Sequence, residues 1–228
     1  MPEIRTYNDM LIHCISRTSD PADLVALALQ ITMHSDLENL APQLTRKTAE
    51  YLWYAEHQSV FEHVHYTFLI QNVSRSFLGQ ITRQRTASPT SGSQHYQDYS
   101  DYPVCVSEEL KATELAEVNF GNSFGDYHHA IHQLGIAKEE ARQMLPMGAA
   151  TNYLWTIDAL NLAKFLRQRL CNRNVMEMRI FASKIKAIVV KHFPELFSFI
   201  GPQCCMGECF QGKLACEEAI YVDPCQDN

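Results

Sequence analysis

Hydrophobic residues recur with a helical period in some stretches of this chain and alternate in others, and the changes of period divide it into elements. LVALALQITMH (24–34) carries a helical apolar pattern, and Ser19-Asp20-Pro21 supplies a start signal with proline near the first helical position. TRKTAEYLWYAEH (45–57) predicts a second helix that ends at the Gln58-Ser59 turn. The period then switches. Val64, Tyr66, Phe68 and Ile70 alternate with His65 and Thr67, the signature of a half-buried strand. Ser74 is placed to cap a following helix, SRSFLGQITRQR (74–85), in which Phe77, Leu78 and Ile81 share one face while Ser76, Gln80 and Arg83 share another. TASPTSGSQ (86–94), with its proline, glycine and hydroxyls, predicts a loop. From Glu108 the pattern is mostly helical through about Leu134, with a shorter segment reaching Leu145-Pro146. AATNYLWTID (149–158) predicts a second strand, and a further helix runs from Ala159 toward Pro194 with a break near Asn172. Without internal repeat or linker, this order predicts a single α+β domain over 1–228. In it a short antiparallel sheet packs against several long helices, with a cysteine-rich tail from about residue 201.

Composition narrows the classes. The 228 residues are enough for one large domain with a real core, and 46% hydrophobic and 20% charged residues are ordinary globular values. No apolar run approaches the roughly 20 residues that cross a bilayer, and MPEIRTYNDMLIHC has no basic head or apolar block. A cytoplasmic enzyme without a membrane partner is therefore expected. A net charge of −7 argues against a nucleic-acid polymer as partner and for local arginines that collect a small anion. Cys14, Cys105 and Cys171 are scattered and read as small buried hydrophobes, whereas Cys204, Cys205, Cys209, Cys216 and Cys225 crowd the end of the chain. Clean CxxC pairs are lacking, so reduced thiols are expected there rather than a disulfide scaffold, with zinc as the alternative.

The chemistry concentrates first in residues 57–96. Arg83-Gln84-Arg85, seven further residues and then Ser93 can form a phosphate cradle, or a solvated basic helix end. Arg142, on an acidic helix, reads by itself as a surface arginine paired with Glu139 or Glu140. Arg169 lies on the stripe of Leu162, Phe165 and Leu166, where a charge is costly unless paired or bound to a ligand, or unless the side chain snorkels. His57, Ser59, Glu62 and His63 do not have the spacing of HExxH, and a capping and hydrogen-bonding cluster is expected there rather than a metal site.

These pieces, in this order and spacing, resemble the flavin-dependent thymidylate synthases. The family's R-H-R, seven residues and S is present with glutamine in the middle place. HQSVFEH is similar to its H-x-S/T-x-F-E-H, NVSR follows, and ARQMLP and TNYLWTIDALNLAKFLRQR match its later motifs. The resemblance covers about residues 50–185, with some similarity in the tail. It implies a pyrimidine-nucleotide site around Gln80, Ile81, Thr82, Arg83, Ser91, Gly92, Ser93, Gln94, His95, Arg142 and Arg169. Arg142 would grip the phosphate, and Arg169, as the catalytic charge, would face the uracil edge. It implies flavin contacts at His57, Ser59, Glu62, Arg83, Gln84, Arg85, Asp158, Leu160 and Lys164.

The implied reaction is reductive methylation of dUMP at C5 to dTMP. Methylenetetrahydrofolate supplies the carbon and FAD reduced by NADPH the hydride, in a homotetramer whose sites draw on several subunits. Ser93 reads as a phosphate ligand rather than a nucleophile, since only His95 is near as a base. The chain departs from the family at Gln84, at His95 in place of an arginine, at Ser91 in place of a glutamate, and at Asp158, Leu160 and Lys164. Those departures keep open an alternative, C5-methylation of UMP or C5-hydroxymethylation.

Overall fold

The computed structural model describes residues 1–33, 43–206, 209 and 211–216. Its elements are β1 (Ile4–Thr6), β2 (Leu11–Arg17), α1 (Pro21–Met33), α2 (Arg46–Tyr54), β3 (His65–Ser74), α3 (Arg75–Ile81) and β4 (Ser88–Ser91). After these come β5 (Val104–Val106), α4 (Glu108–Lys111), α5 (Glu114–His132), α6 (Lys138–Ala141), β6 (Ala150–Asp158), α7 (Ala159–Arg169), α8 (Met176–His192) and α9 (Pro194–Phe197). A four-stranded sheet has the order β2-β3-β6-β4. The mixed helical and sheet architecture is the expected one. Cys225 and the last residues of the tail lie outside the described residues.

The chain groups into two compact units, the first made of 1–13 and 68–155, the second of 14–67 and 156–228. In the first, β1 pairs in parallel with β5, Arg5 opposite Cys105, a two-stranded sheet additional to the one expected. Val104, Val106, Phe124 and Ala149 form the core beside it. A second cluster gathers Tyr99, Tyr127, Ala130 and Ala141, with Tyr99 stacked on Tyr102 at 4.2 Å.

The α3 helix follows its amphipathic pattern but is shorter than expected. Ser74 Oγ accepts from the Phe77 amide at 3.1 Å, and Phe77, Leu78 and Ile81 are buried. At the other end Thr82 Oγ1 donates to the Leu78 carbonyl at 2.6 Å, and the Arg83 and Gln84 amides take three-residue bonds to Gln80 and Ile81. These tighten the last turn and end the helix before Arg83. The expected 86–94 loop contains the short strand β4, whose Pro89 is tolerated because β4 is at an edge of the sheet.

In the second unit α7 buries Leu162, Phe165 and Leu166, and α8 buries Met178, Phe181, Ile185 and Val189. Phe165 and Phe181 meet edge-on at 5.9 Å. A buried Phe side chain contributes roughly 1.5–3 kcal/mol, so this seam fixes where α7 ends and hence where Arg169 stands. The expected break falls between Arg169 and Met176.

Candidate functional site

In the first unit the nucleotide-site candidates occupy α3, the turn after it, β4 and the segment to His95. Arg75 braces this segment, its Nη1 donating to the Gly92 carbonyl at 3.1 Å while the Gly92 amide donates to Asn152 O at 3.0 Å. A Cβ on Gly92 would lie 2.9 Å from Thr151 Oγ1 and 3.1 Å from the Tyr99 hydroxyl, so the backbone runs where no side chain fits. Ser93 Oγ accepts the His95 amide at 3.2 Å, and the His95 ring instead faces Glu139 at 3.5 Å. No base addresses Ser93 among the described residues, which suits a ligand hydroxyl rather than a nucleophile.

Arg83 and Arg85 are exposed, Gln80 and Gln84 partly so, and Gln84 Nε2 donates to Thr86 Oγ1 at 2.7 Å. Thr82 and Ser91 are exposed as well. Ile81 and Gln94 have buried side chains, so any ligand contact at those two positions is made by backbone.

Arg142 differs from its expected surface pairing. It stands exposed where α6 passes into a single turn, Arg142–Met144. Glu139 faces His95, Glu140 accepts from Gln143 at 3.4 Å, and no ion pair holds Arg142 among the described residues. Its guanidinium remains available to an anion.

In the second unit Asp158 caps α7, accepting from the Asn161 amide at 2.8 Å and from Asn161 Nδ2 at 2.7 Å. Leu160 is 4% exposed and belongs to the core, while Lys164 is exposed. As flavin positions these differ sharply. The Asp158 carboxylate serves its own helix and the Leu160 side chain is enclosed, which leaves Lys164 accessible. His57 occupies the cap position of the Gln58–His63 turn without a side-chain bond to it, and Gln58 Nε2 makes the local tie by donating to the Trp53 carbonyl at 2.9 Å. The expected capping role is thus not taken by His57, and the cluster holds no metal group among the described residues. His57 and Ser59 are exposed and line a cavity of about 540 Å³ with Tyr51, Leu52 and Met33. Glu62 is exposed on the same turn.

Arg169 ends α7 half-buried. Its guanidinium lies over the Phe165 ring at 5.9 Å, its Nη1 donates to Asn174 Oδ1 at 3.1 Å, and its buried Nε has no partner among the described residues. Burial pulls this guanidinium below its usual range, yet arginine stays charged in proteins. On the apolar stripe the charge is partly offset by the Asn174 side chain and the Phe165 ring. It lines a second cavity, of about 460 Å³. Asn174, which sequence reasoning missed, is fixed in turn by donating to the Gln168 carbonyl at 2.6 Å and the Cys171 carbonyl at 3.3 Å. An asparagine in a short turn between helices was the available signal.

The family model described as "Thymidylate synthase complementing protein" matches residues 13–195. The flavin-dependent thymidylate synthase of Geobacter sulfurreducens is 31% identical over 223 residues, 93% of this chain and 96% of that protein. The chain belongs to this family. The flavin-dependent thymidylate synthase of Sulfurisphaera tokodaii is 34% identical over 72% of the chain and 66% of its own length. Among solved structures, the UMP/dUMP methylase PolB of Streptomyces cacaoi, bound with 5-Br dUMP, has a TM-score of 0.74 at 21% identity, covering 86% of this chain and 95% of that one. Thymidylate synthase X of Helicobacter pylori, with FAD and dUMP, has a TM-score of 0.68 at 20% identity, covering 82% of this chain and 97% of that one. The fold expected from the motifs is the fold these share. None of the described helices is long and apolar enough to cross a membrane.

Proposed function

We propose that the chain is a cytoplasmic, homotetrameric enzyme that methylates dUMP at C5 to give dTMP, with FAD as cofactor and methylenetetrahydrofolate and NADPH as cosubstrates. The observation that carries this reading is Arg169, a half-buried guanidinium braced by Asn174, with its Nε unpaired among the described residues. A family member needs a fixed cation at the uracil edge, where charge develops as N3 gives up its proton. Arg169 holds that charge in place before substrate arrives, so little reorganisation is needed.

The remaining residues of this chain bind and orient. Arg142, free of carboxylate partners among the described residues, holds the nucleotide phosphate as a charged fork. Ser93 Oγ and the backbone from Ser91 to His95 complete the cradle, with Arg75 keeping Gly92 in line. His57 and Ser59 face a cavity of a size usual for small-molecule sites, with the exposed Tyr51 as an aromatic wall, and Arg83 and Arg85 offer exposed cations for a pyrophosphate. Those donor sets fit FAD, which when bound supplies the redox chemistry that amino-acid side chains lack.

A second reading, methylation of UMP, is favoured by one observation. His95 stands where the resemblance places an arginine and faces Glu139 at 3.5 Å, so the surroundings of the ribose-phosphate depart from the family's pattern. Anaerobic turnover of FAD-reconstituted protein with NADPH and methylenetetrahydrofolate, offered dUMP or UMP separately, decides between them by product mass. dTMP from dUMP is the expected product. Turnover of UMP alone supports the second reading, and no product from either overturns both.

A further inference from the structure

Lys138 touches both parts of the phosphate cradle. Its carbonyl accepts the Arg142 amide, one turn along the chain, and its Nζ donates to the Tyr96 carbonyl at 3.1 Å. Tyr96 sits in the turn that Ser93 opens, where the Gln97 amide donates to the Ser93 carbonyl at 3.0 Å and the His95 amide to Ser93 Oγ at 3.2 Å. Other contacts join α6 to the same segment. Ala141, next to Arg142, is buried in one cluster with Tyr99, and the Glu139 carboxylate comes within 3.5 Å of the His95 ring. These contacts differ in what they can fix. Burial of a methyl group is non-directional, so Ala141 keeps α6 against the core without setting its angle. Glu139 and His95 form a long, half-exposed pair of the kind that is worth little. The Lys138 bond has a charged donor and a preferred direction, so it is the contact able to set where Arg142 stands relative to Ser93.

We propose that Lys138 is a positioning residue for the nucleotide phosphate. Its ammonium holds the Tyr96 carbonyl so that the Ser93 hydroxyl and the Arg142 guanidinium reach the same phosphate, and it does not itself touch the nucleotide. Arg142 is exposed, in a single turn that continues α6, and no carboxylate holds its side chain among the described residues, so its direction is inherited from α6. A phosphate accepts two ligands well only when both are aimed before it arrives, and a small misplacement of one weakens the grip of the pair. The inference rests on the assignment of Arg142 and Ser93 to the phosphate; the tie between Lys138 and Tyr96 does not.

The test is a double-mutant cycle on the full chain, read by calorimetry with dUMP and with deoxyuridine, which lacks the phosphate. Lys138→Met keeps the apolar stem and loses the donor, and it should weaken dUMP binding by about fivefold, less than the loss of Arg142 itself. Deoxyuridine affinity should not change. Lys138→Arg, whose guanidinium can reach the same carbonyl, should recover most of the loss. With Arg142→Ala already present, Lys138→Met should change dUMP affinity by less than about twofold, because nothing is left for it to aim. An equal loss in both backgrounds would mean that the ammonium meets the nucleotide directly, and would overturn the positioning role. Unchanged dUMP affinity in Lys138→Met, or a matching loss for deoxyuridine, would overturn it as well. Hydrogen exchange of the nucleotide-free proteins follows the tie separately: amides of residues 94–99 should exchange faster in Lys138→Met and return to the parent rate in Lys138→Arg. Unchanged exchange would remove the tie. A parent protein that binds dUMP no better than deoxyuridine would instead remove the phosphate reading, with the exchange rates still deciding whether Lys138 holds the segment.

Discussion

Asn174 Oδ1 accepts a 3.1 Å hydrogen bond from Arg169 Nη1, and its own amide is anchored on the carbonyls of Gln168 and Cys171. The turn between α7 and α8 therefore acts as a clamp on a half-buried cation. Asn174→Ala should remove both functions, lowering turnover by about tenfold or more through misplacement of the guanidinium. Asn174→Asp keeps the acceptor but sets a carboxylate against the guanidinium and loses the two donors, so it should lower turnover further than Asn174→Ala does, and remain less stable than the parent by roughly 1–3 kcal/mol for two hydrogen bonds. Steady-state kinetics and urea unfolding separate these. Equal turnover in the two variants would remove the clamp.

Arg169 itself supplies the charge. Arg169→Ala should reduce turnover by roughly 10²–10³, the range for loss of a preorganised electrostatic donor. Arg169→Lys restores charge without the planar fork or the Asn174 geometry and should recover little. Near-normal single-turnover rates in the alanine variant would dismiss the role.

Arg142 is the complementary case, an exposed arginine without a carboxylate partner among the described residues. Its loss should weaken dUMP binding by about 1.5–3 kcal/mol, the worth of a hydrogen bond to a charged group. Turnover at saturating nucleotide should largely persist. Calorimetry against dUMP and deoxyuridine tests this, because Arg142→Ala should not change deoxyuridine affinity.

What the sequence made legible depended on local repetition. The α7 stripe, the Ser74 cap and the alternation of β3 are each written within a few residues, and the structure follows them. The β1–β5 pair was not legible. Its strands are three residues long, too short for a pattern, and each finds its partner about a hundred positions away. The end of α3 was set by the Thr82 hydroxyl, a side-chain competition that helical periodicity does not encode. In the site, Arg169 was legible because a charge on an apolar stripe contradicts its surroundings. Asn174 was not, because its value lies in where the turn folds back. Asp158 and Leu160 mark a different limit: their positions fall within a family motif from which their residues depart, and one carboxylate caps its helix while one side chain is enclosed.

Acid should test a third cluster. Burial raises the Asp98 carboxyl, but hydrogen bonds from the Ser100 amide at 2.9 Å and hydroxyl at 2.7 Å, with His132 at 2.9 Å, outweigh it and bring the carboxyl below its usual 3.8. A depressed carboxyl stabilises the fold above the unfolded value and loses that contribution as pH falls through the folded one. Ser100→Ala should therefore destabilise the protein at neutral pH, with the difference shrinking below about pH 3.8. Denaturant unfolding of both proteins across the acid range measures it. A constant difference would mean that Asp98 ionisation is not involved.

Gly92 offers the most direct check on the cradle. Arg75 grips its carbonyl from one side and Asn152 receives its amide from the other, so the backbone has little freedom to move. An added methyl would lie 2.9 Å from Thr151 Oγ1, 3.0 Å from Gln97 Oε1 and 3.1 Å from the Tyr99 hydroxyl. Gln97 is exposed and can swing away, but Thr151 and Tyr99 are buried and must shift. Gly92→Ala should cost about 1–3 kcal/mol, as overpacking does, and weaken dUMP binding because Ser93 moves with it. Thr151→Ser in the same chain removes a methyl but keeps Oγ1, so it should not rescue; Thr151→Ala deletes the clashing oxygen and should restore part of both losses. Thermal unfolding and dUMP titration of the single and paired variants follow the coupling. Strict additivity between Gly92→Ala and Thr151→Ala would show that the two side chains do not meet.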